Sequence, residues 1–378
     1  MLVLLPVALP LVRRAGPPLL ALAALISVMA QLLSGASVRA RLTQAFLHPA
    51  SLTLMGFFAW STCTLLWSPL PARGLAQIVG CVVVFAAGLL VVAQPPPSLG
   101  VAFHRLFALS LSLGGVVVAL DLLSGLEIAS IVRSGEAGHR YNMVAVSLLL
   151  LCWGLSGRKD VSRAWGCLAW ISVSAAIVIS ESEAAKLGLA ASAAAWAFAA
   201  LTPRRASVAL VGLCLLLCWL TAPWLGSVSD ALLPSKGGVL EAAHAQERIE
   251  IWRGGGLAAI AALPWGSGAG AALAFAEDAV RMGSFKGMGW GHPHNNFLQV
   301  WLELGAPGVL LGALASIAVW RAAAKLGRSA FQQTCGLVAA VSVVALVSHG
   351  LWQAWFWADI CIAVFVLRLT AATELGRL

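Results

Sequence analysis

The chain has 378 residues and a formal net charge of +9, and 60% of its residues are hydrophobic while only 10% are charged. A soluble domain carries roughly 25% charged and about 45–50% apolar residues. This composition therefore excludes an ordinary soluble protein and indicates a chain that lies in lipid. It contains no soluble basic domain, so a nucleic-acid-binding function has no support.

Apolar runs follow one another along the whole chain, and each is a candidate helix. They cover residues 2–12, 16–34, 49–68, 75–93, 103–125, 142–156, 164–180, 186–201, 207–223, 297–320, 329–350 and 354–371. The sequence therefore predicts an all-α, polytopic integral membrane protein with about twelve transmembrane helices. The first run is the weakest candidate because it is too short to cross a bilayer alone. Without a basic region or a small-residue cleavage site, it is expected to be retained rather than removed as a signal peptide.

Positive charge is divided unevenly between alternate connections. One side collects the larger share, namely Arg39, Arg41, Arg105, Arg158, Lys159, Arg163, Arg204, Arg205, Arg321, Lys325, Arg328, Arg368 and Arg377. The positive-inside rule makes that side cytoplasmic. Both termini then lie in the cytoplasm if the run at 2–12 spans, although Arg13 and Arg14 are exceptions to the rule.

One connection on the opposite, outer side is far longer than the others and covers residues 224–296. It separates predicted helices 1–9 (residues 1–223) from predicted helices 10–12 and a cytoplasmic C-terminus (residues 297–378). Within it, residues 242–255 are predicted to form an amphipathic helix, and residues 263–273 a glycine-rich turn that enters a short helix. Long structured loops are usually functional.

The unusual polar residues sort to the same outer face. They are Arg133, Glu136, His139, Arg140, Asn142, Glu181, Glu183, Lys186, Arg248, Arg253, the segment 292–296, and His349 at the end of the eleventh run. Ionisable residues in or near membrane spans are costly and are candidates for function. Their clustering indicates a reaction centre at the outer boundary between membrane and water.

His294 is the leading catalytic candidate. It immediately precedes a helix that Asn295 or Asn296 can cap, and a helix N-terminus carries partial positive charge. That environment is expected to lower the pKa of the histidine and keep its imidazole neutral, as a general base requires. The same helix end favours a phosphate oxygen nearby. The alternative is a histidine that only caps the helix or lies among lipid headgroups.

Downstream, Gly305 and Gly308 flank a proline. Pro307 cannot donate to the carbonyl of Glu303, so the helix is expected to kink or break there. The glycines allow close packing of a neighbour. We interpret them as structural residues that set where His294 points.

Arginines on the outer face suit phosphate binding, because a guanidinium group can donate two parallel hydrogen bonds. Arg248 and Trp252 are four residues apart on one helical face, with tryptophan suited to the membrane interface. Arg133 and Arg140 could bind phosphate from another loop. For any one arginine, contact with lipid headgroups is an equal alternative.

Glu183 and Lys186 share a helical face, and a local ion pair is the simplest interpretation. The alternative is that Glu181 and Glu183 hold a divalent cation or orient a sugar. No HExxH, GxGxxG or phosphate-loop pattern is present. The eight cysteines all lie in apolar segments and are interpreted as buried hydrophobic residues. A metal is possible but not indicated, and no cofactor is expected.

These residues carry a resemblance to a known family. His294 and Asn295, followed after nine residues by Gly305-x-x-Gly308, resemble the signature of bacterial O-antigen ligases (WaaL type), within a wider group of polytopic ligases and polymerases. Arg248-x-x-x-Trp252 and the turn at residues 263–270 resemble two further elements of that family, and Asn142 matches the polar start of an earlier span. Family members have a large periplasmic loop between the ninth and tenth spans, which agrees with the segment 224–296.

The resemblance implies an enzyme of the inner membrane with its active site facing the periplasm. The donor would be O-antigen on undecaprenyl pyrophosphate, and the acceptor a sugar of lipid A–core. His294 would be the base of an inverting transfer, while Arg248 and a second cation would bind pyrophosphate without a metal. One departure concerns that second cation. Glu183 stands where relatives have an arginine, so Lys186 or Arg140 would have to replace it.

Other functions fit the same residues. An O-antigen polymerase or a protein O-oligosaccharyltransferase would use the same donor, and the signature does not separate them from a ligase. A transporter or flippase of lipid-linked glycans is the non-enzymatic alternative. Asp121, Glu303 and the break at Pro307 favour it, whereas the collection of charges at one surface favours an enzyme.

Overall fold

The computed structural model describes residues 2–33, 38–93, 101–125, 137–155, 163–233, 245–275 and 292–375. Every regular element in these ranges is helical, which confirms the all-α fold. The α-helices in chain order are α1 (Leu5–Ala8), α2 (Gly16–Leu33), α3 (Val38–Phe46), α4 (Pro49–Cys63), α5 (Pro71–Val92), α6 (Val101–Ser124), α7 (Ala137–Leu155), α8 (Arg163–Ile179), α9 (Glu183–Leu201), α10 (Arg204–Thr221), α11 (Leu225–Leu232), α12 (Ala245–Ala261), α13 (Asn296–Ala323), α14 (Arg328–Val347) and α15 (Ala354–Leu375).

Eight helical segments of the described ranges are long and apolar enough to cross a bilayer. They are Gly16–Leu33, Pro49–Trp67, Pro71–Val92, Ala102–Ser124, Glu183–Leu201, Arg204–Leu232, Asn296–Ala323 and Arg328–Val347. Two shorter apolar helices, Tyr141–Leu155 and Ala164–Ile179, lie among them in the chain. The protein is thus a polytopic membrane protein, as predicted. The count of about twelve spans stays a prediction.

The first apolar run is not a continuous helix. It contains a 3-10 turn at Leu2–Leu4 and the four residues of α1, which together are too short to span. Leu5 and Leu9 are fully buried, and α1 packs against α6. The run is therefore anchored in the protein core.

Helix α7 lies at the centre of the bundle. Every residue from Val144 to Cys152 is fully buried, and α7 packs against α6, α8, α14 and α15. A helix that is apolar all round belongs in such a position. Helix α10 is the contrast, because most of its long side chains are exposed and suit contact with lipid.

The predicted break in α13 is real and lies at Gly305, whose φ is 63°. The carbonyls that lose their helical donors find other partners. Those of Leu302 and Glu303 accept from Ser267 N and Gly268 N, each at 2.8 Å. The carbonyl of Leu304 accepts from Trp60 Nε1, also at 2.8 Å. The glycine-rich turn at residues 263–270 therefore satisfies two of these three carbonyls, and Trp60 satisfies the third.

The two glycines of the signature do different things. A Cβ at Gly305 would lie 2.2 Å from the carbonyl oxygen of Pro264, so only glycine allows the turn to dock there. A Cβ at Gly308 would lie 2.3 Å from Cβ of Leu304 in the same helix. Gly305 thus permits close backbone approach, whereas Gly308 relieves crowding behind the break.

Glu303 is fully buried beside this break. Its Oε1 accepts hydrogen bonds from Gln299 Nε2 at 3.0 Å and Ala272 N at 3.2 Å, and its Oε2 accepts from Trp352 Nε1 at 2.6 Å. The carboxylate therefore ties α13 to the glycine-rich turn and to the connection between α14 and α15. These structural partners leave less reason to assign it to an ion path.

The two ends of α13 differ in character. Its N-terminus carries His294 and Asn295, while at its C-terminus Arg204 donates to the carbonyl of Ala324 at 2.5 Å. Arg328 likewise donates to the carbonyl of Ala200 at the end of α9, at 3.3 Å. Arginines thus satisfy helix C-termini at the end of the bundle opposite His294.

The segment predicted to be the long outer loop, residues 224–296, begins inside a continuous helical segment. Helix α10 passes through a 3-10 turn at Ala222–Trp224 into α11, so the chain stays helical from Arg204 to Leu232. A helix is present where one was predicted, namely α12 (Ala245–Ala261), but its apolar residues are not gathered on one face as an amphipathic helix requires. The helical stretch expected after the glycine-rich turn lies at residues 271–275.

Candidate active site

His294 lies directly before α13 in an unusual backbone conformation. Its φ is 51°, and within the described ranges it is the one residue other than glycine with a positive φ. The side chain of Asn295, not that of Asn296, caps the helix by accepting from Leu298 N at 3.0 Å. Backbone conformations of this kind are sparsely populated and often occur at functional sites.

One hydrogen bond fixes the proton position on the His294 ring. Nδ1 lies within hydrogen-bond distance of the carbonyl oxygen of Ser348, between α14 and α15. A carbonyl oxygen only accepts, so the proton of a neutral ring is on Nδ1. Nε2 then carries the lone pair, and it is the nitrogen that can accept a proton from a substrate.

The segment Ser348–His349–Gly350 packs against two histidines, His292 and His294. Ser348 binds the ring of His294, and a Cβ on Gly350 would lie 2.7 Å from the ring of His292. The rings of His292 and His294 are 4.3 Å apart between centroids, and the backbone N–H of His294 donates to Nδ1 of His292 at 3.2 Å. His349 packs edge-on against Trp355, with centroids 4.7 Å apart.

All three imidazoles are held in the neutral form. Burial lowers the pKa of His292 to about 4 and the pKa of His349 to about 3. Burial also lowers the pKa of His294 well below its usual value, with His292, Arg248 and His349 adding to the effect. The predicted direction agrees with the structure, but the main cause is desolvation and not the helix N-terminus.

Helix α12 brings Arg248 and Trp252 to this site. Trp252 is buried and donates from Nε1 to the carbonyl of Pro293 at 3.0 Å, which fixes the segment before His294. Trp252 is therefore part of the protein interior and not an interface residue. Burial lowers the pKa of Arg248, while the nearby carboxylates Glu183 and Glu247 raise it. Arg248 remains the cation associated with His294.

The Lys186 side chain has a partner. Its Nζ lies 2.8 Å from Glu183 Oε1, and both side chains are about one-third exposed, at 34% and 31%. The predicted local ion pair is thus confirmed. Among the described residues, no group of three or more His, Cys, Asp or Glu side chains could hold a metal ion. Glu183 therefore interacts with two cations. It forms an ion pair with Lys186, and its negative charge also raises the pKa of Arg248.

The remaining predicted site residues come from the region before and within α7. Arg133 lies outside the described residues, and Arg140 lies in the first turn of α7, with its side chain outside them. Asn142, two residues further on, accepts at its backbone carbonyl from Ser182 Oγ at 3.4 Å. Ser182 caps α9, so the start of α7 lies beside the turn that carries Glu183 and Lys186.

Sequence reasoning missed the Ser348 carbonyl, and it noted His349 without assigning it to the site. A main-chain carbonyl leaves no mark in a sequence, so the contact from Ser348 had no signal. His349 had one, because a histidine at the end of an apolar run is unusual. Its closeness to His292 and His294 depends on how α13, α14 and α15 pack.

The fold and this site define a polytopic helical membrane protein in which half-buried His292, His294 and Arg248 and buried His349 lie together at one end of the bundle. Residues 167–313 match the family model described as O-antigen ligase. This part of the chain is therefore similar to the O-antigen ligase and polymerase family, whose members are glycosyltransferase-like enzymes. The matched range includes Lys186, Arg248, Trp252, His294, Gly305 and Gly308. Among curated proteins, none matches the chain.

Proposed function

We propose that the chain is an O-antigen ligase of lipopolysaccharide assembly. It transfers O-antigen polysaccharide from undecaprenyl pyrophosphate to a sugar hydroxyl of lipid A–core, at the periplasmic face of the bacterial inner membrane. The observation that carries the proposal is the contact of His294 Nδ1 with Ser348 O close to Arg248, because it makes Nε2 the basic nitrogen of a neutral ring.

In this reaction Nε2 of His294 takes the proton of the acceptor hydroxyl. The oxygen forms a bond to the anomeric carbon of the donor sugar, while the bond from that carbon to the pyrophosphate oxygen breaks. Attack from the opposite face inverts the configuration. Arg248 stabilises the negative charge of the departing pyrophosphate. A pyrophosphate is a good leaving group, so the reaction requires neither a general acid nor a metal cofactor.

The second cation is drawn from the neighbouring residues. Lys186 forms an ion pair with Glu183, and the charge of Glu183 also raises the pKa of Arg248. We assign Lys186, Arg140 and Arg133 to pyrophosphate binding, and Asn295 and Asn142 to glycan contacts. Trp252, Gly305 and Gly308 hold the site in shape. The lipid tail of the donor lies in the bilayer, with membrane lipids as its surroundings.

The proposal includes an orientation and a division of the chain. Residues 224–296 form the periplasmic loop domain, between the transmembrane helices of residues 1–223 and those of residues 297–378. Arginines that satisfy helix ends opposite His294, such as Arg204 and Arg328, then face the cytoplasm. This arrangement agrees with the positive-inside rule.

Reconstitution of the purified protein tests the proposal. Vesicles containing the protein receive glycan linked to undecaprenyl pyrophosphate, together with lipid A–core in one arm and a second copy of the glycan in another. Transfer to lipid A–core, persisting in a chelator, is expected for the ligase. Extension of the glycan instead would identify a polymerase, and movement of donor across the bilayer without product would identify a transporter.

His294→Asn is the informative variant. Asparagine tolerates a positive φ, and its amide can still donate to the carbonyl of Ser348, but it cannot act as a base. General base catalysis contributes about 10²–10⁴-fold to a rate, so kcat should fall by that factor with donor binding retained. Parental kcat in the folded variant would rule out His294 as the base.

A further inference from the structure

The chain contains three asparagines in all, Asn142, Asn295 and Asn296. All three have buried amide atoms that lack a hydrogen-bond partner within the described ranges. These atoms are Oδ1 of Asn142, Nδ2 of Asn295, and both Nδ2 and Oδ1 of Asn296. Buried side-chain polar atoms usually have a partner, so three exceptions of one residue type require an explanation.

Asn296 is the clearest case. It is only 4% exposed, and both ends of its amide lack a partner among the described residues. Asn295 is fully buried, and although its Oδ1 caps α13, its Nδ2 has no such role. Leaving a buried amide unsatisfied costs stability, whereas an apolar residue of similar shape would avoid that cost. The free protein therefore carries a group that has no structural use there.

These amides belong to the surroundings of His294. Asn295 and Asn296 follow it directly in the chain. Asn142 lies beside Ser182, next to Glu183, whose charge reaches Arg248. Of the other buried atoms without a partner in the described part of the chain, two belong to the site, namely Nε of Arg248 and Nε2 of His349. Unsatisfied groups thus occur in each of the segments that meet around His294, at the start of α7, in α12, at the start of α13 and between α14 and α15.

The types of these atoms indicate which ligand they suit. A phosphate at neutral pH offers mainly oxygen acceptors, which match Arg248 but would be repelled by the Oδ1 atoms of Asn142 and Asn296. A sugar hydroxyl both donates and accepts a hydrogen bond. A hydroxyl can therefore donate to the oxygen of an amide or accept from its nitrogen, and it can pair with a neutral imidazole nitrogen in the same way.

We propose that Asn296, with Asn295 Nδ2 and His349 Nε2, forms a subsite that binds the hydroxyl groups of a sugar ring next to His294. This inference rests on the proposed function and deepens it, because it divides the site by chemistry. Arg248 and its neighbouring cations bind pyrophosphate, and the amides bind the sugar. Asn296 acts in binding and does not exchange protons.

Asn296→Leu tests the subsite, because leucine has a similar shape but no polar atoms. The melting temperature of the variant without ligand should equal or exceed that of the parent. Its KM for the substrate that carries the bound sugar should rise roughly tenfold, the effect of losing about one hydrogen bond's worth of binding. Its kcat should change much less. Asn295→Ser, which keeps a capping oxygen but loses Nδ2, should act in the same direction.

Two arms identify the sugar. KM is measured separately for the lipid-linked donor and for the lipid A–core acceptor. The substrate whose KM rises is the one whose sugar ring binds at the subsite. Gln333→Leu is the matched control, since Gln333 is also a buried amide with one atom, Oε1, that lacks a partner in the described ranges, but it lies near the opposite end of the bundle from His294. The kinetics of this variant should match those of the parent. A fall in the melting temperature of Asn296→Leu with both KM values unchanged would show a structural role and overturn the subsite.

A binding measurement keeps this result separate from turnover. Soluble core oligosaccharide or donor glycan should raise the melting temperature of the parent, and this shift should be smaller for Asn296→Leu. Absence of transfer by the parent, with the shift retained, would reject the ligase reaction but not the sugar subsite. A parent that neither glycan stabilises would reject the subsite itself.

Discussion

At the scale of single residues, the main feature is a histidine whose backbone and ring are both constrained. A left-handed conformation costs an L-residue roughly 1–2 kcal/mol, and His294 is kept in it by the contacts around it. The ring binds Ser348 O, and the backbone N–H binds His292. The first contact settles which ring nitrogen is basic before any substrate arrives, and the second holds the backbone, so little reorganisation is needed in the reaction.

Arg248 provides a prediction at the same scale. Arg248→Gln should lower kcat/KM for the lipid-linked donor by about 10²-fold or more, because it removes a charge that stabilises the leaving group. Arg248→Lys should retain part of the activity, since it keeps the charge but loses the paired donors. Initial rates of glycan transfer over a range of donor concentrations measure both effects.

The control for Arg248 lies in the same helix. Arg253 forms an exposed ion pair with Asp230 at 3.1 Å, with side-chain exposures of 53% and 41%. Exposed ion pairs contribute little to stability, so Arg253→Gln should leave both rate and folding unchanged. Equal losses for Arg248→Gln and Arg253→Gln would show that general positive charge, and not Arg248, is needed.

At the scale of elements, the break in α13 joins the helix that begins next to His294 to the glycine-rich turn. Gly305→Ala would place a methyl group against the carbonyl oxygen of Pro264 and keep a positive φ at a residue with a side chain. The expected destabilisation is over about 2 kcal/mol, from strain and overpacking combined. A lower melting temperature in detergent and weaker glycan transfer should appear together.

Gly80→Ala is the matched change in α5. A Cβ at Gly80 has nothing within 4 Å, and alanine in a helix interior is more favourable than glycine by roughly 0.5–1 kcal/mol. This variant should be as stable as the parent or more so. A Gly305→Ala protein with the parent's melting temperature would mean that the turn does not depend on glycine at the break.

At the scale of the whole molecule, the proposed orientation makes opposite ends accessible from opposite sides. In a variant without native cysteines, Asp230→Cys should react with a membrane-impermeant maleimide in intact spheroplasts. Arg205→Cys should react only after the membrane is permeabilised. Both positions are exposed, so access and not burial decides the result, and the reverse pattern would place His294 in the cytoplasm.

The helices could be predicted from the sequence because long apolar runs leave few other structures possible in lipid. The break at Gly305 was also predictable, since proline removes a specific donor. The contacts that build the site were not, because they join residues far apart in the chain. His294 meets Ser348 through a carbonyl, and Arg248 approaches Glu183 only after α9 and α12 have packed. The pKa of His294 was predicted in direction, yet burial, its main cause, depends on that packing.

The desolvated, uncharged imidazoles have a consequence for how the protein responds to acid. Because their folded-state pKa values lie below 6.5, at about 4 for His292 and about 3 for His349, the unfolded chain takes up protons there before the folded chain does. Each such ring then removes about 1.4 kcal/mol of folding stability per pH unit as the medium falls below 6.5 towards those values. A mildly acidic surrounding would therefore leave the base able to work while loosening the pocket that holds it, so inactivation by acid would begin as local unfolding.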